Sequence, residues 1–210
     1  MKTLELFAGS RSFSKVAEKY NYETYTTDNQ NFDKIDQVCD IFDFNHNEAL
    51  MKLGGYPDIV WASPPCTYFS VASIGHHWYP NHTPKTKEAV LGIKIVQKTI
   101  DLINILQPKY WFIENPRGKL RKLDVVKDLP IRKTVTYCSY GDNRMKPTDI
   151  WTNLDWKTKP LCKNGNRDCH HKPAPRGSTT GTQGMKNSYE KSKIPSGLFE
   201  EIFTNLMFTG

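Results

Sequence analysis

Asp58-Ile59-Val60-Trp61-Ala62-Ser63-Pro64-Pro65-Cys66 is the stretch on which the reading of this chain turns. Ile59-Val60-Trp61 is an unbroken β-branched and aromatic run closed by a breaker, the pattern of a buried strand. Proline fixes φ and restricts the residue before it, so Pro64-Pro65 makes a stiff exit from that strand. Cys66 is then held at a strand's carboxyl end, where open α/β sheets place their ligand crevice. A rigidly presented thiol there is a candidate nucleophile; the alternative is a small buried hydrophobe.

Strand-like and helix-like runs alternate on both sides of this stretch. Thr3–Phe7 predicts a strand, Ala8-Gly9-Ser10 a turn, Phe13–Tyr20 a helix and Tyr22–Thr27 a second strand. Glu48–Leu53 predicts a short helix. In Lys85–Leu106, Val90, Ile93, Val96, Ile100, Ile103 and Leu106 recur at the three- and four-residue spacing of an amphipathic helix. Tyr110–Ile113 reads as a strand stopped by Asn115-Pro116, with Thr134–Ser139 and Thr148–Thr152 as later, partly antiparallel strands. The alternation predicts βαβ units: an α/β protein with a mainly parallel sheet and helices on both faces. From about 153 to 193 the periodicity disappears, and Pro195 then opens a helix with Leu198, Ile202 and Leu206 on one face. The expected organisation is a core over 1–152, a small irregular basic region over 153–193, and a C-terminal helix over 194–210 that returns to the core.

A chain of 210 residues, 38% hydrophobic and 12% aromatic, suits one domain with a small appendage. It has no apolar run long enough to span a membrane. The N-terminus enters a strand pattern directly, without the apolar core of a signal peptide, which predicts a cytoplasmic protein with no membrane association. Five cysteines at irregular spacing argue for free thiols or a metal site, not a disulfide framework. The net charge of +7 is unevenly spread: 20 Lys and Arg against 17 Asp and Glu over 1–150, but 9 against 3 over 151–195. Such a localised basic segment is either a solvated loop or a phosphate-binding surface.

Three strand ends now carry polar groups of defined type: Phe7-Ala8-Gly9, Pro64-Pro65-Cys66 and Glu114-Asn115. In order and separation they resemble the F-x-G turn, P-P-C loop and E-N pair of the cytosine-C5 DNA methyltransferase family. Pro64–Ser70 resembles that family's P-P-C-x-x-F-S in full, and the likeness covers roughly residues 3–150. Within the family the chain looks most like the short phage-type methylases. Arg11 stands where another glycine is common, and Pro116 where valine is common.

The resemblance implies a Rossmann-like S-adenosylmethionine-dependent methyltransferase sheet with a small C-terminal recognition region, acting on DNA as a monomer. It makes Cys66 the nucleophile that adds to carbon 6 of a cytosine flipped out of the helix, because a stacked base exposes neither face. Glu114 follows the apolar Trp111-Phe112-Ile113, and burial favours the protonated form of a carboxyl, which could donate to the ring nitrogen. The bland reading is a strand-end carboxylate capping a turn. For S-adenosylmethionine the resemblance implies Phe7, Ala8, Gly9, Ser10 and Pro64, with Asp40-Ile41 at the adenine. Asp28 ends the second strand, where an acidic residue commonly holds ribose hydroxyls. Arg144 matches an arginine that contacts the flipped base and its phosphate. Lys146, Pro65, Ser70 and Asn115 are further substrate-side candidates. Trp78-Tyr79-Pro80-Asn81-His82 reads as a mobile loop that closes over the base.

In the basic region, Cys162 and Cys169 with His171 could bind zinc. Neighbours on an extended chain point opposite ways, so His170 and His171 should not both ligate; Cys138 or Asp168 could complete the set. The alternative is two reduced thiols in a loop. Arg176 to Gly184 is rich in glycine and hydroxyls, and Arg176 or Gln183 could read a base there; it could equally be a linker. The expected activity is methyl transfer to carbon 5 of cytosine in DNA. An RNA cytosine-C5 methyltransferase, or a catalytically silent nucleic-acid-binding protein of the same fold, remains open.

Overall fold

The computed structural model describes residues 1–174, 185 and 187–208, leaving aside the side chain of Ser188. β1 (Lys2–Leu6), β2 (Glu23–Asp28), β3 (Gln37–Val38), β4 (Ile59–Ala62), β5 (Tyr110–Pro116), β6 (Ile131–Thr136) and β7 (Pro147–Thr152) form one sheet in the order β3-β2-β1-β4-β5-β7-β6. The pairs β2–β3, β1–β2, β1–β4 and β4–β5 are parallel, while β7 is inserted antiparallel between β5 and β6. The helices are α1 (Ser12–Lys19), α2 (His46–Leu53), α3 (Ile74–His77), α4 (Lys87–Leu106), α5 (Ser188–Ser192) and α6 (Ser196–Phe208).

Side chains alternate across a strand, so each central strand feeds two cores. Leu4, Leu6, Val60, Ala62 and Ile113 join Ala49 and Leu53 of α2 and Val96, Leu102 and Leu106 of α4. Ile59, Trp61, Phe112 and Ile150 join Phe13 of α1 and Leu198, Phe199, Ile202 and Phe203 of α6. Trp61 lies at the centre of the second core, stacked on Phe13 at 5.7 Å and edge-on to Phe199 at 4.8 Å. The C-terminal helix therefore lies beside α1 against this face.

Several elements differ from the sequence-based expectation. β5 does not stop at Ile113: its backbone continues through Pro116 because β7 pairs with it, Glu114 opposite Ile150 and Asn115 opposite Asp149. Residues 137–140 form a 3-10 turn ending at Gly141, and β6 begins earlier, at Ile131. The buried stripe of α4 includes Ala89, Gly92 and Thr99, and Val90 is 40% exposed, so the helix is rotated from the face its apolar residues suggest. Gly92 lies close against Tyr68 and Phe69, and a small residue there lets the helix approach the segment after Cys66.

α1 begins without a side-chain cap of its own, since Arg11 before it is left-handed. Glu5 of β1 supplies the acceptors: Phe13 N–H donates to Oε1 at 3.3 Å and Ser14 N–H to Oε2 at 2.9 Å. The carboxyl is buried, and burial pushes its pKa from 4.5 up to about 7, although these hydrogen bonds pull the other way. A pKa raised on folding gives stability that is full below about 4.5 and is lost as the pH rises through about 7. Glu5→Gln should flatten that decline, measured as the urea midpoint at about pH 5 and about pH 8. An unchanged decline in the variant would show that Glu5 does not titrate in this window.

Candidate active site

The carboxyl ends of β1, β2, β4 and β5 meet on one edge of the sheet, and the loops that leave them carry the polar groups. After β1 the chain turns sharply, with Phe7, Gly9 and Arg11 at φ 59°, 46° and 54°. Gly9 N–H donates to Asp28 Oδ2 at 2.9 Å, and Gln30 N–H donates to Oδ1 at 2.9 Å. Burial raises the Asp28 carboxyl pKa despite these bonds. Arg11 takes the left-handed conformation that a second glycine would take easily, so the turn survives the replacement. Its guanidinium is paired with Glu18.

A Cβ built on Gly9 would lie 3.8 Å from Asp28 Oδ2 and 4.0 Å from Ser192 Oγ, so α5 borders this corner. Tyr189 of the same segment stacks at a tilt on Phe32, 5.2 Å between centroids. Ser12 Oγ accepts from Ile194 N–H at 3.2 Å, and Ser10 Oγ lies 2.7 Å from Ser12 Oγ. The corner thus combines free carboxylate lone pairs at a strand end with a close backbone turn. That donor and acceptor set fits the ribose of a nucleoside-bearing cofactor. Asp40 is exposed and accepts from Phe42 N–H at 3.0 Å, while Ile41 is 7% exposed in the core beside α2. Tyr189, Ser192 and Phe32 were not visible as site residues in the sequence, because they reach the corner from distant segments.

After β4, Pro64 is buried and Pro65 exposed, and Cys66 opens a turn in which Phe69 and Ser70 N–H both donate to its carbonyl at 3.0 Å. Asn115, fully buried, donates from Nδ2 to Pro64 O at 2.9 Å, which binds the exit of β4 to β5. Its Oδ1 is buried without a hydrogen-bond partner among the described residues. Glu114 is 5% exposed, and Tyr137 Oη donates to its Oε1 at 2.8 Å. Burial and the Glu114 charge hold the Tyr137 pKa well above its usual value, so it remains a neutral donor. Trp78 is 2% exposed, stacks on Phe69 and donates from Nε1 to Tyr68 O at 2.7 Å. The expected mobile loop therefore begins at an anchor of the Cys66 turn. Gly118 completes the fixation: a Cβ there would stand 2.3 Å from Phe69 O, so only glycine allows this contact.

Burial pushes the Cys66 thiol up; Lys146 pulls it down, Glu114 pushes it further up, and Lys191 pulls it down. Lys146 is 6% exposed, donates to Lys191 O at 3.3 Å and lies over the Tyr137 ring at 4.9 Å. Arg144 differs from its sequence reading. Its Nε contacts Asp142 Oδ1 at 2.9 Å, Nη1 donates to Glu190 O and Lys191 O at 3.1 and 3.0 Å, and Nη2 to Lys193 O at 2.7 Å and to Asp142. With each nitrogen engaged, the guanidinium ties the β6–β7 connection to the segment over Gly9 and is not a free arm toward a base. Ser70 Oγ is likewise engaged, 2.9 Å from Ser73 Oγ.

Beside this edge a cavity of about 570 Å³ is lined by Trp78, His82, Lys85, Arg117, Lys119 and Lys122, among others. Lys119 is 4% exposed with Nζ 2.7 Å from His82 Nδ1, and burial lowers its pKa. Its sequence signal was the basic run after Glu114-Asn115-Pro116, which a strand-by-strand reading passes over. Farther along the chain, Cys138, Cys162, Cys169 and His171 converge, their ligand atoms all within 4.8 Å of one another. His170 points elsewhere, its Nε2 3.0 Å from Asp142 O. This is a Cys/His cluster able to hold a metal ion. Arg176 and Gln183 lie outside the described residues.

The sheet order with its single reversed insertion, and polar loops gathered at the parallel strands' carboxyl ends, define a Rossmann-like S-adenosylmethionine-dependent methyltransferase fold. Residues 1–129 match the family described as C-5 cytosine-specific DNA methylase. A protein of Frog virus 3 (isolate Goorha), described as "Probable DNA (cytosine-5)-methyltransferase", is 29% identical over 175 residues, which span 80% of this chain and 78% of that protein. A solved structure from E. coli, described as a "putative DNA modification methyltransferase encoded within prophage", matches with a TM-score of 0.52 at 14% identity. That match spans 72% of this chain and 46% of the other, and it shows the fold. With more than half its length matched, the chain belongs to the C-5 cytosine-specific DNA methylase family, a family of DNA (cytosine-5)-methyltransferase enzymes.

The charges around Cys66 predict its reactivity. Glu114→Gln removes a repelling carboxylate and should shift the pH midpoint of Cys66 alkylation by iodoacetamide downward, whereas Lys146→Met should shift it upward. Assignment of the labelled peptide by mass spectrometry isolates Cys66 from the other thiols. Shifts of the opposite signs would show that these two groups do not set the thiol's ionisation.

Proposed function

We propose that this chain transfers a methyl group to carbon 5 of a cytosine flipped out of DNA, through a covalent adduct at Cys66. The observation that carries the proposal is the union, at adjacent strand ends, of a fixed thiol, a buried carboxyl and a buried cation: Cys66, Glu114 and Lys146. Lys146 favours the thiolate that adds to carbon 6 of the ring. Tyr137 occupies one oxygen of the Glu114 carboxylate; the other takes a proton from solvent as the base binds and passes it to the ring nitrogen as electrons move onto it. Carbon 5 is thereby made nucleophilic. After methylation, solvent takes the carbon 5 proton, the Cys66 thiolate departs and the ring nitrogen returns its proton to Glu114, which restores the aromatic ring and the free enzyme.

S-adenosylmethionine, when bound, supplies the electrophilic methyl. Phe7, Ala8, Gly9 and Ser10 would frame it, with Asp28 at its ribose, Asp40-Ile41 toward its adenine and Pro64 at the edge nearest the thiol. Asn115 orients the target: its Nδ2 is committed to Pro64 O, and its unpartnered Oδ1 can accept from a donor on the base. Pro65 and Ser70 shape the turn that faces the base. Arg144 acts by position, holding residues 190–193 over the cofactor corner. The core over 1–152 carries the chemistry, and the basic region over 153–193, with Arg176 and Gln183, reads the DNA as part of a monomer. The cationic cavity around Lys119 adds a phosphate-binding surface, since its lining holds no carboxylate among the described residues.

The test is transfer of label from tritiated S-adenosylmethionine to DNA and, in parallel, to tRNA. Label in DNA is expected; label in tRNA alone would move the substrate to RNA. Cys66→Ala should abolish transfer, and Glu114→Gln should cut turnover at least ~100-fold, the low end for loss of a general acid. DNA containing 5-fluorocytosine should become covalently attached to Cys66, because fluorine blocks the final release. A fully intact protein that binds DNA but gives neither label nor adduct would be a silent binding protein.

A further inference from the structure

Residues 157–174 pose a packing problem that the methyltransferase fold does not solve. Among these eighteen residues His171 alone is buried, and every other residue is exposed or half-exposed. No apolar side chain of this segment is buried, yet it follows a defined path with a left-handed turn at Gly165, φ 77°. A stretch that buries no apolar core needs another source of order, usually a disulfide or a metal.

The buried histidine lies among three thiols. Cys162 Sγ is 3.6 Å from His171 Nδ1, and Cys138, Cys162, Cys169 and His171 offer ligand atoms all within 4.8 Å of one another. In a tetrahedral zinc site with three sulfurs and one imidazole, ligand atoms stand about 3.4–3.8 Å apart, so closing on an ion needs a shift of roughly 1 Å. His171 turns Nδ1, the nitrogen a metal ion would take, toward the thiols, while its Nε2 is buried without a hydrogen-bond partner among the described residues. Outer contacts also suit thiolates: Asn166 Nδ2 donates to Cys162 Sγ at 3.7 Å, within a turn closed by Cys169 N–H to Asn166 O at 3.3 Å.

We propose that Cys138, Cys162, Cys169 and His171 bind one structural zinc ion, which staples residues 157–174 to the catalytic core. The set is closed, with four protein ligands and no open position, so the ion holds structure and activates no water. Cys138 places one end of the staple next to Tyr137, the donor to Glu114, in the same 3-10 turn. The other strand of contacts fastens the loop that bears Arg144: Lys172 N–H donates to Asn143 O at 3.0 Å, and His170 Nε2 meets Asp142 O at the same distance. The metal thus anchors the start of the basic region to the residues that border the thiol. Zinc binding here is independent of the proposed methyl transfer, since it depends only on the four ligands and on the bare packing of this segment.

Elemental analysis of the full chain, purified without chelator, tests the proposal. About one zinc per chain is expected, falling at least ~10-fold in Cys162→Ser and in Cys169→Ser, while Cys39→Ser keeps its metal. Should the variants fail to fold, the wild-type protein can be stripped with a chelator and refilled with cobalt(II). Cobalt should then give the visible bands of a tetrahedral site with sulfur-to-metal charge transfer. Chelation should also speed tryptic cleavage within residues 157–174 and leave the helix and sheet circular dichroism in place, because both sheet cores stand without the metal. A wild-type protein that carries no zinc and takes up no cobalt, whether its thiols are free or joined as a disulfide, would overturn the proposal. Metal retained undiminished in both serine variants would overturn it too.

Discussion

The amide of Asn115 bonded to the carbonyl of Pro64 is the contact on which the candidate site depends. β4 must end where its prolines begin, and without a fixed neighbour its exit would be free to swing. The buried amide fastens that exit to β5, and breaking a buried hydrogen bond of this kind costs about 1–3 kcal/mol. Alternation along β5 does the rest: with Asn115 directed at Pro64, Glu114 turns to the other side and meets Tyr137. Thiol and carboxyl are thus placed by two neighbouring strands, not by flexible loops. Phe69, Trp78 and Gly118 then lock the turn after Cys66 from the other side.

Around this contact the protein has gathered cations with separate duties. Lys146 bears on the thiol's ionisation, which burial alone would suppress. Arg144, whose charge would serve the same end, is fully spent on Asp142 and on carbonyls of residues 190, 191 and 193. That commitment brings residues 190–194 across the corner of Gly9 and Asp28, so that corner is closed by a segment that bonds to Ser12 from 182 positions away. The Cys/His cluster extends the same logic to a segment with no apolar core.

Much of the fold was legible from residue order. Ile59-Val60-Trp61 before two prolines marks a buried strand wherever it occurs, and the α4 periodicity marks a helix. The misreadings share one cause. Asn115-Pro116 looked like the end of a strand, and would have been one had β7 not supplied an antiparallel partner. Arg11 stands where another glycine is common, and its backbone enters the left-handed region all the same. Val90 looked buried, but α4 turns toward Gly92, where the Cys66 turn needs room.

The sequence by itself determined the alternation of elements, the strand ends bearing Gly9, Cys66 and Glu114, and the family to which those motifs point. These are local properties: periodicity, proline stiffness and turn chemistry act within a few residues. Only the tertiary structure decided that β7 enters the sheet backwards beside β5, that Tyr137 donates to Glu114, and that Arg144 is a tie. It also chose Cys138, and not Asp168, as the fourth member beside Cys162, Cys169 and His171. Such meetings are set by which segments close on one another across dozens of residues, and chain entropy leaves that choice open until packing selects it.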